Sequence, residues 1–230
     1  MKLRIAKDRL LVSEIFDSVQ GEGPSAGTPS TFLRLGHCNL RCAWCDTPYT
    51  WDWERHRLED ELRAWDLDAL AADLVARAPQ NLVVTGGEPL LQRDALAALL
   101  PRLGKRVEVE TAGTLPPELE GVAQWNVSPK LASSGNPLDK RWRPDVLRAF
   151  ARREDAVFKF VIASEADLEE LRARVSELAL PPERVWLMPE GTDAATLAER
   201  GRALSEVCVQ EGWRLGWRLH VSLWGDRRGV

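Results

Sequence analysis

A chain of 230 residues, 44% hydrophobic and 29% charged, has apolar material for a full core. Its formal net charge of −4 includes no block of five like charges, so nothing in it grips nucleic acid by mass electrostatics. No apolar stretch approaches bilayer length and the charged start MKLRIAKDRLL lacks a signal-peptide core, so a soluble cytoplasmic protein is expected, with neither membrane nor nucleic acid as partner.

In chain order, Leu10–Phe16 and Thr31–Leu35 read as strands ahead of a cysteine-rich loop. The charge-rich stretch Asp52–Arg63 has no clear period and reads as an insertion. Leu67–Ala78 has apolar residues at helical spacing and precedes a short buried strand, Leu82–Thr85. A second helix pattern, Arg93–Leu103, leads to strand Val107–Thr111, and Gln124–Ser128 follows as another strand. After strand Val157–Ala163, Ser164-x-x-Asp167 has the form of a capping box. The helix it opens aligns Leu168, Leu171, Val175 and Leu178. Arg184–Met188 reads as a strand and Asp193–Glu211 as a long helix, with Leu197, Leu204 and Cys208 on its apolar face. Arg214–Leu223 reads as a closing strand. Strands alternating with helices predict a mostly parallel α/β sheet with its active site at the C-terminal strand ends. About six such units fit the length, too few for a complete eight-fold barrel, so a single domain over 1–230 with an open, partial barrel is expected. Pro116–Pro117 and Pro181–Pro182 punctuate loops and do not divide domains.

Cys38, Cys42 and Cys45 stand in HCNLRCAWCDT with the spacing C-x3-C-x2-C, and Cys208 is the only other cysteine. Four cysteines, three of them clustered, are no disulfide framework in a chain this long. Three thiolates can hold three irons of a [4Fe–4S] cluster and leave the fourth iron for an outside ligand, since full ligation takes four. The alternative is a structural zinc site with His37 as fourth ligand. Zinc sites usually come as two separated ligand pairs, and there is no second pair here.

Several motifs fall at predicted strand ends. Thr85-Gly86-Gly87-Glu88-Pro89 offers backbone carbonyls to an ammonium group, its glycines permitting close approach of a ligand. Taken alone it reads as a turn. Ser128-Pro129-Lys130 presents a hydroxyl and an ammonium, or is simply a turn. Glu110 would bind ribose hydroxyls or remain a solvated rim charge. Trp44 offers a flat ring to an adenine, or belongs to the core. The loop Val19-Gln20-Gly21-Glu22 supplies amide and carboxylate groups suited to the edge of a pterin or purine-like ring. Arg34 would clamp a carboxylate or serve a structural salt bridge. Asp46-Thr47 would complete a Mg2+ shell or act as a helix cap. His220, alone on a predicted strand, reads as structural.

Together EIFDSVQGEG, TFLRLGHCNLRCAWCDT, TGGEP, ETAGT, SPK and the WGDRRGV ending closely resemble the 7-carboxy-7-deazaguanine synthase family of radical S-adenosylmethionine enzymes, over nearly the whole chain. The resemblance implies a partial TIM-like barrel in a homodimer that uses a [4Fe–4S] cluster, S-adenosylmethionine and Mg2+. It implies conversion of 6-carboxy-5,6,7,8-tetrahydropterin to 7-carboxy-7-deazaguanine with loss of ammonia, on the route to queuosine and other 7-deazapurines. An electron donor such as flavodoxin or ferredoxin would reduce the cluster. Carried over by position, Cys38, Cys42 and Cys45 ligate the cluster and Thr47 contributes to Mg2+. Val19, Gln20, Gly21, Glu22, Arg34, Thr85 and Val230 match substrate-contacting positions. Trp44, Gly87, Glu110, Ser128, Pro129, Lys130, Met188 and Glu190 are assigned to the cofactor. Two departures stand out: His37 where the family commonly has a small residue, and a loop at Met188 without the commoner glutamine. A glycyl-radical activating enzyme shares size and cysteine spacing, but would leave the QGEG loop, Arg34 and CDT without a purpose.

Overall fold

The computed structural model describes residues 7–230; residues 1–6, part of the charged start, lie outside it. The elements follow in chain order as β1 (Arg9–Val19), β2 (Pro29–Leu35), α1 (Leu58–Glu61), β3 (Arg63–Asp66), α2 (Leu67–Ala76), β4 (Asn81–Gly86), α3 (Arg93–Leu99), β5 (Arg106–Thr111) and β6 (Gln124–Val127). Then come α4 (Leu138–Arg141), α5 (Pro144–Ala151), β7 (Ala156–Ile162), α6 (Glu165–Leu178), β8 (Val185–Pro189), α7 (Ala194–Glu211), β9 (Arg214–Leu215) and α8 (Leu219–Trp224).

All nine strands form one sheet in the order β3-β1-β2-β4-β5-β6-β7-β8-β9. From β2 to β9 every neighbour pair is parallel, while β1 pairs antiparallel with both β2 and β3. Among the described residues the sheet does not close, and β3 and β9 are the outer strands of an open, partial barrel. Its parallel strands are near-continuous apolar runs where helices cover them, as in Leu82, Val83 and Val84, all fully buried. Trp125 and Phe150 meet edge to face at 5.3 Å where α5 packs under β6. Leu197, Leu204 and Cys208 form the buried stripe of α7.

The capping box predicted at Ser164 is present. Asp167 is buried and its carboxylate accepts from Ala163 N at 2.9 Å and Ser164 N at 3.1 Å. The predicted helix Arg93–Leu103 tightens into a 3-10 turn at Leu100–Arg102, since Pro101 donates no helix bond.

Three readings need correction. Arg214–Leu223 is a strand only over Arg214–Leu215. Its alternating Leu215, Trp217, Leu219, Val221 and Leu223 mimic a strand, but at Gly216 a Cβ would lie 2.7 Å from Met188 Cγ. The chain passes that crossing without a side chain and then coils into α8, where Val221 is buried and Leu223 is exposed. Asp52–Arg63 is an insertion that contains α1 and leads into β3, which lengthens the sheet beyond β1. The third is α5, a helix of eight residues opened by Pro144 that the sequence reading passed over.

Asp167→Ala removes the acceptor of two part-buried amide donors at the start of α6 and should cost about 1–2 kcal/mol. Urea unfolding of the variant beside the wild type reads this as a lower midpoint at unchanged slope.

Candidate active site

One cleft lies at the C-terminal ends of the parallel strands, and nine separate segments converge on it. The end of β1 contributes Val19, Gln20, Gly21 and Glu22, and β2 contributes Arg34. The cysteine loop contributes Cys38, Cys42, Trp44, Asp46 and Thr47, and the end of β4 contributes Thr85, Gly86 and Gly87. Glu110, Ser128, Lys130, Lys159, Met188 and Glu190 come from β5 through β8, and Arg218, His220 and Val230 from the C-terminal segment. Two of the residues singled out in the sequence, Cys45 and Pro129, are not among the lining residues.

The cysteine loop is built on a left-handed turn. His37 has φ of 70°, in the left-handed region that favours glycine. His37 bears the strain because its neighbours fix it: its N–H donates to Thr50 O at 2.6 Å, and its ring meets Trp53 edge-on at 5.4 Å. Burial pushes its imidazole pKa down, so the ring stays neutral, with Nε2 buried and unpartnered.

The glycines of Gly86-Gly87 answer first to protein, not to ligand. A Cβ on Gly86 would stand 2.2 Å from Leu35 O, and one on Gly87 2.0 Å from His37 O. Gly87 N donates to Leu35 O at 3.1 Å and Glu88 N to His37 O at 2.8 Å, so this turn and the cysteine loop are one backbone unit. Glu88 is fully buried and its carboxylate accepts from Leu90 N, Ala112 N and the Thr111 hydroxyl, at 2.9–3.1 Å. Burial raises its pKa against those donors.

Each of the three cysteine sulfurs accepts one nitrogen donor. Leu40 N lies 3.4 Å from Cys38 Sγ, Asn136 Nδ2 3.4 Å from Cys42 Sγ and Trp51 Nε1 3.3 Å from Cys45 Sγ. All three cysteines are free thiols, and burial pushes Cys38 up to about 12. Such a thiol ionises only against a strong cation such as iron. Among the described residues no three His, Cys, Asp or Glu side chains converge on one ion's position. A cuboidal cluster asks something different, one sulfur for each of three irons. Donors aimed at sulfurs beside an open cleft fit that group.

Beyond the cysteines, Lys130 Nζ donates to Ser128 Oγ at 2.9 Å and sits 5.4 Å over the Trp44 ring. Trp44 therefore belongs to the cleft and not the core. Thr47 offers no side-chain cap to the turn that follows it; its hydroxyl lies 3.8 Å from Cys45 Sγ. Arg34 Nε donates to Glu14 Oε2 at 2.7 Å, so the structural salt bridge exists even though Arg34 also faces the cleft. Glu14 further accepts from Tyr49 and from Arg228, whose guanidinium stacks 3.8 Å over the Tyr49 ring and anchors the tail ending at Val230. Glu190 is paired with Arg200.

Sequence reading missed Lys159 and Arg218. Lys159 is 1% exposed and its ammonium bridges Glu22 at 2.9 Å and Glu110 at 2.6 Å. Arg218 Nε donates to Glu22 at 3.2 Å and its far end pairs with Asp46. Gln20 Nε2 donates to Glu110 Oε1 at 3.3 Å. Burial pushes the Glu22 carboxyl up, but Lys159 and Arg218 outweigh it and hold Glu22 well below the usual carboxylate range. Glu110 is neither a rim charge nor isolated. A lysine inside the apolar run VFKFVI was the available signal, because a charge in a buried strand needs partners. His220 is packed against Gly21, where a Cβ would meet Nδ1 at 2.1 Å, and Leu219 N donates to Gly21 O at 2.9 Å.

Residues 34–128, from Arg34 through the glycine turn to Ser128, match the family model described as the Radical SAM superfamily. The chain is 39% identical to the 7-carboxy-7-deazaguanine synthase of Pyrobaculum aerophilum, over 97% of this chain and 99% of that one. This chain belongs to the 7-carboxy-7-deazaguanine synthase family. The Halobacterium salinarum synthase is 37% identical over 94% of this chain and 91% of its own length. The fold agrees: the crystal structure of QueE from Escherichia coli superposes with a TM-score of 0.71 at 24% identity, covering 92% of this chain and 95% of that one. Membership makes the chain a radical S-adenosylmethionine enzyme, for which a [4Fe–4S] cluster and S-adenosylmethionine are implied. No helix among the described residues is long and apolar enough to cross a membrane.

Lys159→Met would leave the half-buried Glu110 without a cation and Glu22 with Arg218 alone, a loss of about 3 kcal/mol. Thermal unfolding should show it as a large drop in Tm, and Lys159→Met with Glu110→Gln should regain part of that drop.

Proposed function

We propose that this protein converts 6-carboxy-5,6,7,8-tetrahydropterin to 7-carboxy-7-deazaguanine with release of ammonia, as a carbon–nitrogen lyase of 7-deazapurine biosynthesis. The observation that carries the reading is family membership over nearly the full chain, joined to a single cleft that gathers the cysteine loop, the glycine turn and the QGEG loop. Cys38, Cys42 and Cys45 would hold the cluster, which together with bound S-adenosylmethionine would supply the radical chemistry.

The protein's own groups bind, orient and exclude water. Gly87, Trp44, Ser128, Pro129, Lys130, Met188 and Glu190 form the cofactor side, and Lys130 over Trp44 offers a cation to its carboxylate. Val19, Gln20, Gly21, Glu22, Arg34, Thr85 and Val230 form the substrate side. Glu110, assigned to the cofactor from sequence, joins the substrate side, because it shares Lys159 with Glu22 and bonds to Gln20. Glu22, held ionised by Lys159 and Arg218, and Glu110, whose carboxyl burial pushes up against the pull of Lys159, offer paired acceptors to the N–H edge of a pterin. Arg34 keeps its terminal nitrogens for the substrate carboxylate while Glu14 fixes its Nε. The same reading assigns Mg2+ to Thr47, a low-potential electron donor such as flavodoxin or ferredoxin, a homodimer, and a reducing cytosol.

The test is anaerobic incubation of the reconstituted protein with the pterin, S-adenosylmethionine, Mg2+ and a low-potential reductant, followed by mass analysis. Formation of 7-carboxy-7-deazaguanine without matching consumption of S-adenosylmethionine is the expected result. 5′-Deoxyadenosine alone would keep the radical chemistry and overturn the substrate. Replacing any one of Cys38, Cys42 or Cys45 by Ala should abolish turnover, and full activity in such a variant would sink the cluster assignment. Arg34→Ala should raise the KM for the pterin by about tenfold or more, as for a charged hydrogen bond. S-adenosylmethionine should be little affected, and equal loss for both would make Arg34 structural.

A further inference from the structure

The third cysteine has a side-chain donor that the proposed reaction does not use. Trp51 Nε1 lies 3.3 Å from Cys45 Sγ, and the indole is half-buried directly after the turn Pro48–Thr50 that follows the cysteine loop. Its position is fixed from behind. Trp51 N donates to Pro48 O at 3.0 Å, Thr50 Oγ1 donates to Thr47 O at 2.8 Å, and Thr50 O accepts from His37 N at 2.6 Å. The residues on both sides of the cysteine triplet thus meet at the turn that aims this ring. The donor to Cys42 is weaker in kind, because Asn136 Nδ2 is shared with Ser134 O and Ser134 Oγ at 3.4 Å each. The donor to Cys38 is backbone. Of the two side-chain donors Trp51 alone gives its N–H wholly to a sulfur, and it is the donor a substitution can remove without touching the main chain.

We propose that Trp51 is a positioning residue of the cysteine loop whose indole N–H raises the reduction potential of the cluster by hydrogen bonding to the Cys45 sulfur. The inference rests on the cluster assignment made above. An electron added to an iron–sulfur cluster is shared with its thiolate sulfurs, so a donor aimed at one of them stabilises the reduced state more than the oxidised one. Hydrogen bonds to sulfur are among the levers that set these potentials. Trp53, two residues on, packs its ring on His37 and donates to no cysteine sulfur, which makes it the internal control.

The experiment is an anaerobic redox titration of the full-length reconstituted protein, following the electron-spin-resonance signal of the reduced cluster, without S-adenosylmethionine. Trp51→Phe keeps the ring and removes the N–H. The expected result is a midpoint potential shifted to more negative values at full iron content, with Trp53→Phe titrating like the wild type. A Trp51→Phe midpoint equal to that of the wild type overturns the proposal. Should Trp51→Phe assemble too little cluster, the reduced wild type carrying 15N-indole tryptophan decides the matter. A 15N hyperfine coupling to the cluster supports the bond, and its absence overturns it. Failure of the cluster assignment itself would look different, since no reduced-cluster signal would appear in any variant.

Discussion

The site depends on one close backbone approach. Parallel pairing of β2 with β4 ends at Leu35 and Gly86, so the cysteine loop and the glycine turn leave the sheet side by side. There is no space for a Cβ between them at Gly86 or Gly87. The bonds from Gly87 N to Leu35 O and from Glu88 N to His37 O then lock the two loops. Glu88 carries the constraint to a third strand by binding Thr111 and Ala112 at the end of β5. Buried acceptors that are fully satisfied hold geometry firmly, because each lost bond exposes an unpaired donor inside the protein. The first cysteine is thereby placed relative to β4 and β5 before any cofactor binds.

The opposite side of the cleft is organised by charge. Lys159 is buried between Glu22 and Glu110, and Arg218 ties Glu22 to Asp46 beside the third cysteine. Desolvating four charges is expensive, and replacing them with apolar groups would often be as stable. Their persistence in an open cleft fits a recognition role. The C-terminal segment belongs to the same construction, with Leu219 on Gly21, Arg218 on Glu22 and Arg228 on Glu14, so the chain's end completes the cleft that its beginning opens.

Local signals carried much of the architecture. Apolar runs bounded by turns located β1, β2 and β4 to β8 to within a few residues, and helical spacing located α2, α6 and α7. The start of α6 was legible because a capping box is a four-residue pattern, here Ser164 to Asp167. The failures were of two kinds. In Arg214–Leu223, alternation was a true property of the sequence, but Gly216 meets Met188 across the sheet, and no local pattern records that crossing. β3 is short and polar, and exists because β1 offers it an edge.

By itself the sequence determined the chemistry available: three cysteines in one short loop, a glycine turn, a QGEG loop, and the alternation that brings strand ends to one face. Those are local facts, set by spacing and by which residues tolerate a turn. Only the tertiary structure decided the partnerships. That Glu110 shares a lysine with Glu22, that Trp51 points at a sulfur, and that Arg34 is shared with Glu14 depend on residues from 6 to 137 positions apart. Such pairs meet through sheet register and loop crossing, and neither is encoded within the few residues over which sequence patterns speak.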